Sequence, residues 1–324
     1  VRAGAVAGLL AVVAASLALG LAAGTVPLPP EDVWRALWTS DAPASVIVRE
    51  LRAPRVLLAF LVGGSLAVCG AALQAMIRNP LAEPYLLGLS GGAGLGAVVA
   101  LASRAAGPWA VPLAAFLGAL AAVGLVYRLS LVAGRRLDPR ILLLSGVVVG
   151  AFAGALMSAI IVLSDAPTVR NAFLWLLGGF NAASWQALAV FAAYAAVPLA
   201  AIGVSARSLD LIALGEEPAH HLGADVNRTR RLVYLCTALL TAASVAACGI
   251  IGFVGLVVPH AVRTLARPLH RTLLPLVFLG GGSFLVLSDV VARTVAPPLE
   301  LPVGVITALV GVPVFAVLLR RSVA

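Results

Sequence analysis

The sequence predicts an all-α polytopic membrane protein of about ten transmembrane helices, with short re-entrant and coupling helices between them. Three observations predict it. Hydrophobic residues make up 62% of the 324 residues and charged residues only 11%, whereas a soluble domain carries about 25% charged residues. The mean hydropathy is +1.08, which implies more apolar surface than a water-soluble fold could cover. The apolar residues also gather into runs close to the roughly 20 residues that cross a bilayer. Residues 1–324 therefore read as a single transmembrane domain, with no room for a large soluble one.

The first run, residues 3–23, has the length of a signal peptide, but its cleavage signal is weak and more spans follow, so it reads as a retained helix. Residues 25–55 are polar and contain prolines, and read as an external connection. Spans follow at 56–76, 86–102, 109–126, 141–163 and 187–204, rich in the Gly and Ala that let helix backbones approach in lipid. Residues 172–180 (AFLWLLGGF) are apolar but too short to cross. They read as a short helix lodged at membrane depth, which must rest on other helices or on a water-filled path.

The run from 232 to 262 decides the topology. As one helix it would reach about 46 Å, against about 30 Å of hydrocarbon. It would also put two arginine-rich loops, 207–231 and 263–271, on opposite sides. Breaking it near residues 249–252 puts both loops on one side. With further spans at 273–291 and 303–319 the count is ten, and both termini share a side. Placed inside, that side holds fifteen arginines, among them Arg2, Arg135, Arg136 and Arg267, against seven outside. The positive-inside rule expects that imbalance.

All 22 basic residues are arginine, and the net charge is +9. Because they flank apolar runs, they read as orientation signals and not as a nucleic-acid surface. Cys69, Cys236 and Cys248 lie within apolar stretches and read as small buried hydrophobes.

Several motifs carry more. In Arg78-Asn79-Pro80-Leu81-Ala82-Glu83-Pro84 two prolines forbid a continuous helix, and by itself the segment is a connecting turn. Residues 91–97 (GGAGLGA) contain a G-x-G-x-x-A pattern, but no strand precedes it and it sits in an apolar helix, so close helix packing explains it. The loop 207–231 holds Leu214-Gly215-Glu216-Glu217-Pro218-Ala219-His220-His221-Leu222-Gly223. There a short helix should begin after Gly215, with Glu216 and Glu217 at the positive end of its dipole, and end at Gly223. Adjacent histidines face different ways and no acid or cysteine completes a metal site, so the loop reads as a protein-docking element.

Arg52, Arg55 and Arg293 stand at external helix ends, against the orientation rule. They read either as lipid-phosphate anchors or as partners for carboxylates of an external protein. Asp289 lies within a span, four residues before Arg293. An i,i+4 ion pair accounts for it, and a proton relay is the functional alternative. With no lysine the chain carries no Walker A loop, and no Ser/His/Asp or metal-ligand set is legible, so no catalytic residues are assigned.

The segment 78–88 (RNPLAEPYLLG) resembles a signature of the FecCD family of ABC-importer permeases. So do 175–180 (WLLGGF), the 214–223 loop, 252–260 (GFVGLVVPH) and 300–304 (ELPVG). The likeness runs in order over nearly the whole chain. The family includes vitamin B12, heme and ferric-siderophore permeases.

That resemblance implies a single permease domain working as a homodimer, with two cytoplasmic ATPase subunits and a periplasmic or lipid-anchored substrate-binding protein. It places the complex in the bacterial inner membrane with both termini cytoplasmic. This chain would bind no cofactor, ATP and Mg residing on the partner ATPase. Leu214, Gly215, Glu216, Glu217, Ala219, Leu222 and Gly223 would form the ATPase-coupling element. Arg52, Arg55 and Arg293 would dock the binding protein. Asn79, Pro80, Leu81 and Asp138 would form the cytoplasmic gate, and Trp175, Gly178, Gly179 and Phe180 the translocation path on the dimer axis. The implied cargo is a large metal chelate, ferric siderophore or heme, with cobalamin as the alternative. A proton-coupled secondary transporter using Asp289, or an exporter or channel, are the readings from other classes.

Overall fold

The computed structural model describes residues 3–39, 44–134, 138–266 and 269–323. Arg2, Arg135, Arg136 and Arg267, all counted on the inner side, lie outside the described residues. Among the described residues every regular element is helical. The order is α1 (Ala3–Ala22), α2 (Pro30–Trp38), a π-helical turn (Ile47–Arg52) running into α3 (Ala53–Ile77), and a 3-10 turn (Pro84–Leu87) before α4 (Leu89–Ala102). Then come α5 (Ala110–Gly134), α6 (Pro139–Val162), α7 (Ala166–Leu176), α8 (Trp185–Val204), α9 (Ala206–Leu214) and α10 (Glu216–His221). The chain closes with α11 (Val226–Cys248), α12 (Val254–Ala266), α13 (His270–Thr294) and α14 (Val303–Val323).

Among the described residues 7 helices are long and apolar enough to cross a membrane: α1, the Ile47–Ile77 helix containing α3, α5, α6, α8, α11 and α13. The apolar helix α4 is shorter, as is the described apolar part of α14, Val303–Val317. The expected break of the long run falls where the sequence places it. α11 stops at Gly249, whose φ is +72°, and α12 begins at Val254.

Three boundaries differ from expectation. The 25–55 connection is not loop alone, because it carries α2 and the π-helical turn that extends the second span backward to Ile47. The 86–102 span starts late, since Gly88 at φ +77° separates the 3-10 turn from α4. The short helix expected at 172–180 instead occupies Ala166–Leu176. Its start is set by Asp165, whose side chain accepts the Thr168 N–H at 3.2 Å, with proline in the first turn. Its end is set by Gly178 at φ +70°. Hydropathy located the apolar half of this helix and missed the polar cap, which is a hydrogen-bonding signal and not an apolar one. Thr168 also holds the Asp165 carboxyl below its usual range.

α3 is the axis of the subunit, with 83% of its most apolar window buried against 11% for α1. It meets α13 backbone to backbone: a Cβ on Gly63 would lie 2.3 Å from the Gly281 carbonyl, and one on Gly281 2.4 Å from the Gly63 carbonyl. In lipid, where apolar burial gives helices little drive to associate, this close van der Waals approach holds them. The 91–97 glycines do the same work, Gly92 against the Gly118 carbonyl and Gly96 against that of Ala114, both in α5. Several polar groups in the core are satisfied internally, while the buried Ser65 and Ser130 hydroxyls have no hydrogen-bond partner. Thr237, Thr241 and Ser244 donate to carbonyls one turn back at 2.7–2.8 Å. Tyr234 donates to Val123 O at 3.0 Å and ties α11 to α5. Cys69 and Cys248 are free and buried, as small hydrophobes would be.

Candidate functional site

The functional residues fall in three places along the bundle. At one end, α1 finishes without a basic residue in its last turn, which leaves terminal carbonyls to be satisfied by other parts of the chain. Arg52 donates to Leu21 O at 2.9 Å, to Ala22 O at 2.7 Å and to Val26 O. Arg293, in the last turn of α13, donates to Gly20 O at 3.1 Å. Its Nε also pairs with Asp289 at 3.0 Å, the i,i+4 bridge expected from the sequence. The spacing gives no hint of the other partner of Asp289. Arg55 grips both Asp289 oxygens, with Nη2 to Oδ1 at 2.8 Å, and reaches Glu300 through Nη1 at 2.9 Å.

Arg52, Arg293 and Asp289 are thus buried and partnered inside the subunit, while Glu300 is the most accessible member of the cluster at 25% exposed. Three guanidiniums against two carboxylates leave one net positive charge. Arg52, Arg55, Arg293 and Glu300 line a 290 Å³ cavity together with Gly24, Phe180 and Asn181. Asp289, 1% exposed with both oxygens engaged by guanidinium donors, has the surroundings of a structural ion pair and lacks the water access of a relay.

Charge reversal here carries a large structural cost. Arg293→Glu should destabilise the protein by about 3 kcal/mol, because it buries a second carboxylate against Asp289 and frees the Gly20 carbonyl. Thermal unfolding of the detergent-solubilised protein checks it. An unshifted transition would show that the cluster contributes little to the fold.

The second place is a junction of three separated segments. The turn after α7 (residues 177–180), the break between α11 and α12, and the start of α14 meet through their backbones. Gly179 N–H donates to Cys248 O at 2.8 Å, Val303 N–H to Gly178 O at 3.0 Å and Gly304 N–H to Leu177 O at 3.1 Å. Bare glycines make the approach possible. A Cβ on Gly249 would lie 2.3 Å from Trp175 O, and one on Gly304 2.2 Å from Leu177 O. The break also frees backbone donors, two of which are taken by the 78–88 segment. Glu83 Oε1 accepts the Phe253 N–H at 2.5 Å and Tyr85 Oη the Ile251 N–H at 3.3 Å. Burial pushes the Glu83 carboxyl up from its ordinary value, and the Phe253 N–H draws it back.

Two cavities flank this junction and share Ile250. One, of 340 Å³, is lined by Tyr85, Gly88, Gly91, Gly146, Gly150 and Met157. The other, of 510 Å³, is lined by Leu176, Leu177, Gly304, Leu309 and Pro313. Of the residues expected on the path, Gly178 and Gly179 are joints of the junction and Trp175 is half-buried beside it. Phe180 is 1% exposed in the core and touches the cavity of the charged cluster. The apolar wall comes from their neighbours Leu176 and Leu177. Glu83, Tyr85 and Ile250 escaped the sequence reading, although the prolines around Glu83 signalled a break there.

The third place is the loop that carries α9 and α10. α9 ends at Gly215 (φ +129°), α10 follows, and Gly223 (φ +82°) ends the turn after it, as the glycine spacing predicts. Leu214, Glu216, Glu217 and Leu222 face outward, whereas Ala219 is buried with Ile212 and Ala224. Glu216 pairs with Arg230 of α11. Arg78 Nη1 lies 3.6 Å from where a Gly215 Cβ would stand. Asp210 of α9 accepts the His270 N–H at 3.0 Å and meets its Nδ1 at 2.6 Å, fastening the loop to α13. Asn79 Oδ1 accepts the Leu81 N–H at 2.9 Å in a tight turn with Pro80 between them, and Asp138 caps α6 through the Arg140 N–H at 2.8 Å. His220 and His221 are exposed, and among the described residues no group of three His, Cys, Asp or Glu is placed to hold a metal.

The model of the FecCD transport family matches residues 10–321. The cobalamin import system permease protein BtuC of Halobacterium salinarum is 44% identical over 282 residues, covering 86% of this chain and 74% of that protein. The hemin transport system permease protein HmuU of Yersinia pestis is 38% identical over 328 residues, covering 97% and 95%. A solved structure described as an inward-facing conformation of a putative metal-chelate type ABC transporter is similar at a TM-score of 0.86 and 29% identity, covering 97% of this chain and 98% of that one.

Proposed function

The chain belongs to the FecCD transport family, and we propose that it is the membrane-spanning permease of a binding-protein-dependent importer whose ATPase subunits are separate chains. The observation that carries this reading is the loop of α9 and α10. It offers an outward face of Leu214, Glu217 and Leu222, and its inner side is fastened to α11 through Arg230 and to α13 through His270. Force applied to that face by an ATPase reaches the spans directly. The ATP and Mg reside on the ATPase, and a second copy of the permease completes the path.

The ten-span arrangement is supported by lengths. α12 would span about 20 Å as helix, and the non-helical residues 249–253 before it carry the chain further. α4 adds about 21 Å to the 3-10 turn before it, and α14 is long enough by itself. Both termini then face the cytoplasm of an inner-membrane protein, and the charged cluster faces outward. Arg52, Arg55 and Arg293 are the docking surface for carboxylates of the binding protein. Exposed apolar faces on α6 (Leu144, Val148, Phe152) and α14 (Leu309, Val312) support a dimer axis beside the two cavities.

The cargo is a large chelate, heme, ferric siderophore or cobalamin, which keeps its metal within its own ligands. Walls of glycine and apolar side chains suit such a cargo, because weak contacts let it leave. Asn79, Pro80, Leu81 and Asp138 close the inner end, and Asn79 and Asp138 act by holding backbone turns.

The test is uptake by vesicles that contain the permease, its ATPase and its binding protein. Uptake should stop when ATP hydrolysis is blocked and continue when the proton gradient is collapsed. The reverse result would overturn the reading in favour of secondary transport through Asp289.

A further inference from the structure

All three arginines bond within the subunit, and Arg55 has every guanidinium nitrogen engaged, so a partner's carboxylate reaches Arg55 only by exchange. Arg52 is occupied by carbonyls at the end of α1, and Arg293 by Gly20 O and Asp289. Arg55 holds Asp289 with two of its nitrogens and Glu300 with the third. Of these bonds only Arg55–Glu300 involves a carboxylate within reach of water, Glu300 being 25% exposed and Asp289 1%. The cavity in front of the cluster is open to that same pair.

We infer that Glu300 is an internal stand-in for the partner's carboxylate, displaced from Arg55 when the binding protein docks. The inference rests on the docking reading given above. Exchanging one carboxylate for another on the same guanidinium preserves the bond chemistry, so the balance is set by solvation and by the net positive charge of the cluster. The displaced Glu300 moves to water, where it was partly solvated already.

The exchange has a direction of effect along the chain. Glu300 sits between two anchors. Leu301 N–H donates to Ala292 O at 2.9 Å, and Val303 and Gly304 donate to Gly178 O and Leu177 O at 3.0 and 3.1 Å. Freeing Glu300 therefore loosens the segment that pins the start of α14 to the 177–180 stretch, beside the 510 Å³ cavity. Docking outside thus becomes a change of restraint on a wall of the path.

The experiment uses the assembled transporter in vesicles and the binding protein that restores uptake with it, fluorescently labelled. With its competitor neutralised, Glu300→Gln should dock that protein roughly 3- to 10-fold more tightly at low salt, the gain shrinking as salt rises. It should also hydrolyse ATP faster without the binding protein. Glu300→Asp, which keeps the charge, should dock as the parent does. If parental docking weakens with salt but Glu300→Gln docks equally or more weakly, the exchange is wrong while the arginine surface stands. If parental docking is insensitive to salt, the arginine surface itself is wrong and the exchange falls with it.

Discussion

Gly223→Trp should abolish uptake, by about 100-fold or more, while the permease still inserts and dimerises. The reason lies in what surrounds this glycine. A Cβ there would meet nothing within 4 Å, so bulk at this position creates no clash inside the subunit. The φ of +82° makes any L-residue strained, at a cost of about 1–2 kcal/mol, which a bundle of this size absorbs. What tryptophan blocks is the outward surface beside Leu222, the face proposed above to receive the ATPase. Gly223→Ala carries the same strain without the bulk and should keep most of its uptake. Vesicle uptake, read with size-exclusion of the solubilised dimer, separates the two effects. Normal uptake by the tryptophan variant would remove the coupling role from this loop.

Gly70→Val should prevent a folded permease altogether. A Cβ on Gly70 would stand 1.9 Å from the Gly255 carbonyl oxygen, and the obstacle is backbone with no rotamer to yield. α3 would have to part from α12, taking with it the Gln74 bond to Gly255 O at 3.1 Å. Overpacking of this kind costs on the order of 5 kcal/mol, among the largest effects of single substitutions. Gly124→Ala is the matched control, since nothing lies within 4 Å of a Cβ there. It should leave stability unchanged or raise it by up to about 1 kcal/mol through helix propensity. The measurement is the yield of monodisperse protein after extraction, with the unfolding temperature of what survives. A Gly70→Val variant that purifies like the parent would show that the α3–α12 contact is dispensable.

The two glycines illustrate which parts of this protein are legible from sequence. The turn at Gly223 is legible because its signal is local: a glycine closing a short acidic-start helix in a polar loop, with Gly215 at the other end. Gly70 carried no signal at all. It is one of many glycines in an apolar run, and only the carbonyl of Gly255, brought against it by packing, distinguishes it. The same contrast runs through the charged cluster of Arg55, Asp289 and Arg293. The Asp289–Arg293 pair follows from a spacing of four on one helix. Its second cation, Arg55, comes from the far end of the sequence, and no periodicity connects them.

Local cap chemistry explains where hydropathy misled. The short helix at Ala166–Leu176 was sought too late in the chain because its N-terminal half is polar and begins at Asp165. The residues that hold the helix break, Glu83 and Tyr85, were hidden for a different reason. Their partners are backbone N–H groups left free by a break more than 160 residues away, as their bonds to Phe253 and Ile251 show.

By itself the sequence determined the solvent, the helical class, the positions of the seven span-length helices, the break near Gly249 and the family. Each of these follows from composition, from run length against bilayer thickness, or from residues a few positions apart, because in lipid a spanning helix satisfies its backbone polar groups within its own segment. Tertiary structure alone decided which glycines touch, which arginines are already occupied, and that three separated motifs meet at one junction. Those depend on distances between helices, and a one-dimensional pattern carries no term for a neighbour that packing brings from elsewhere in the chain.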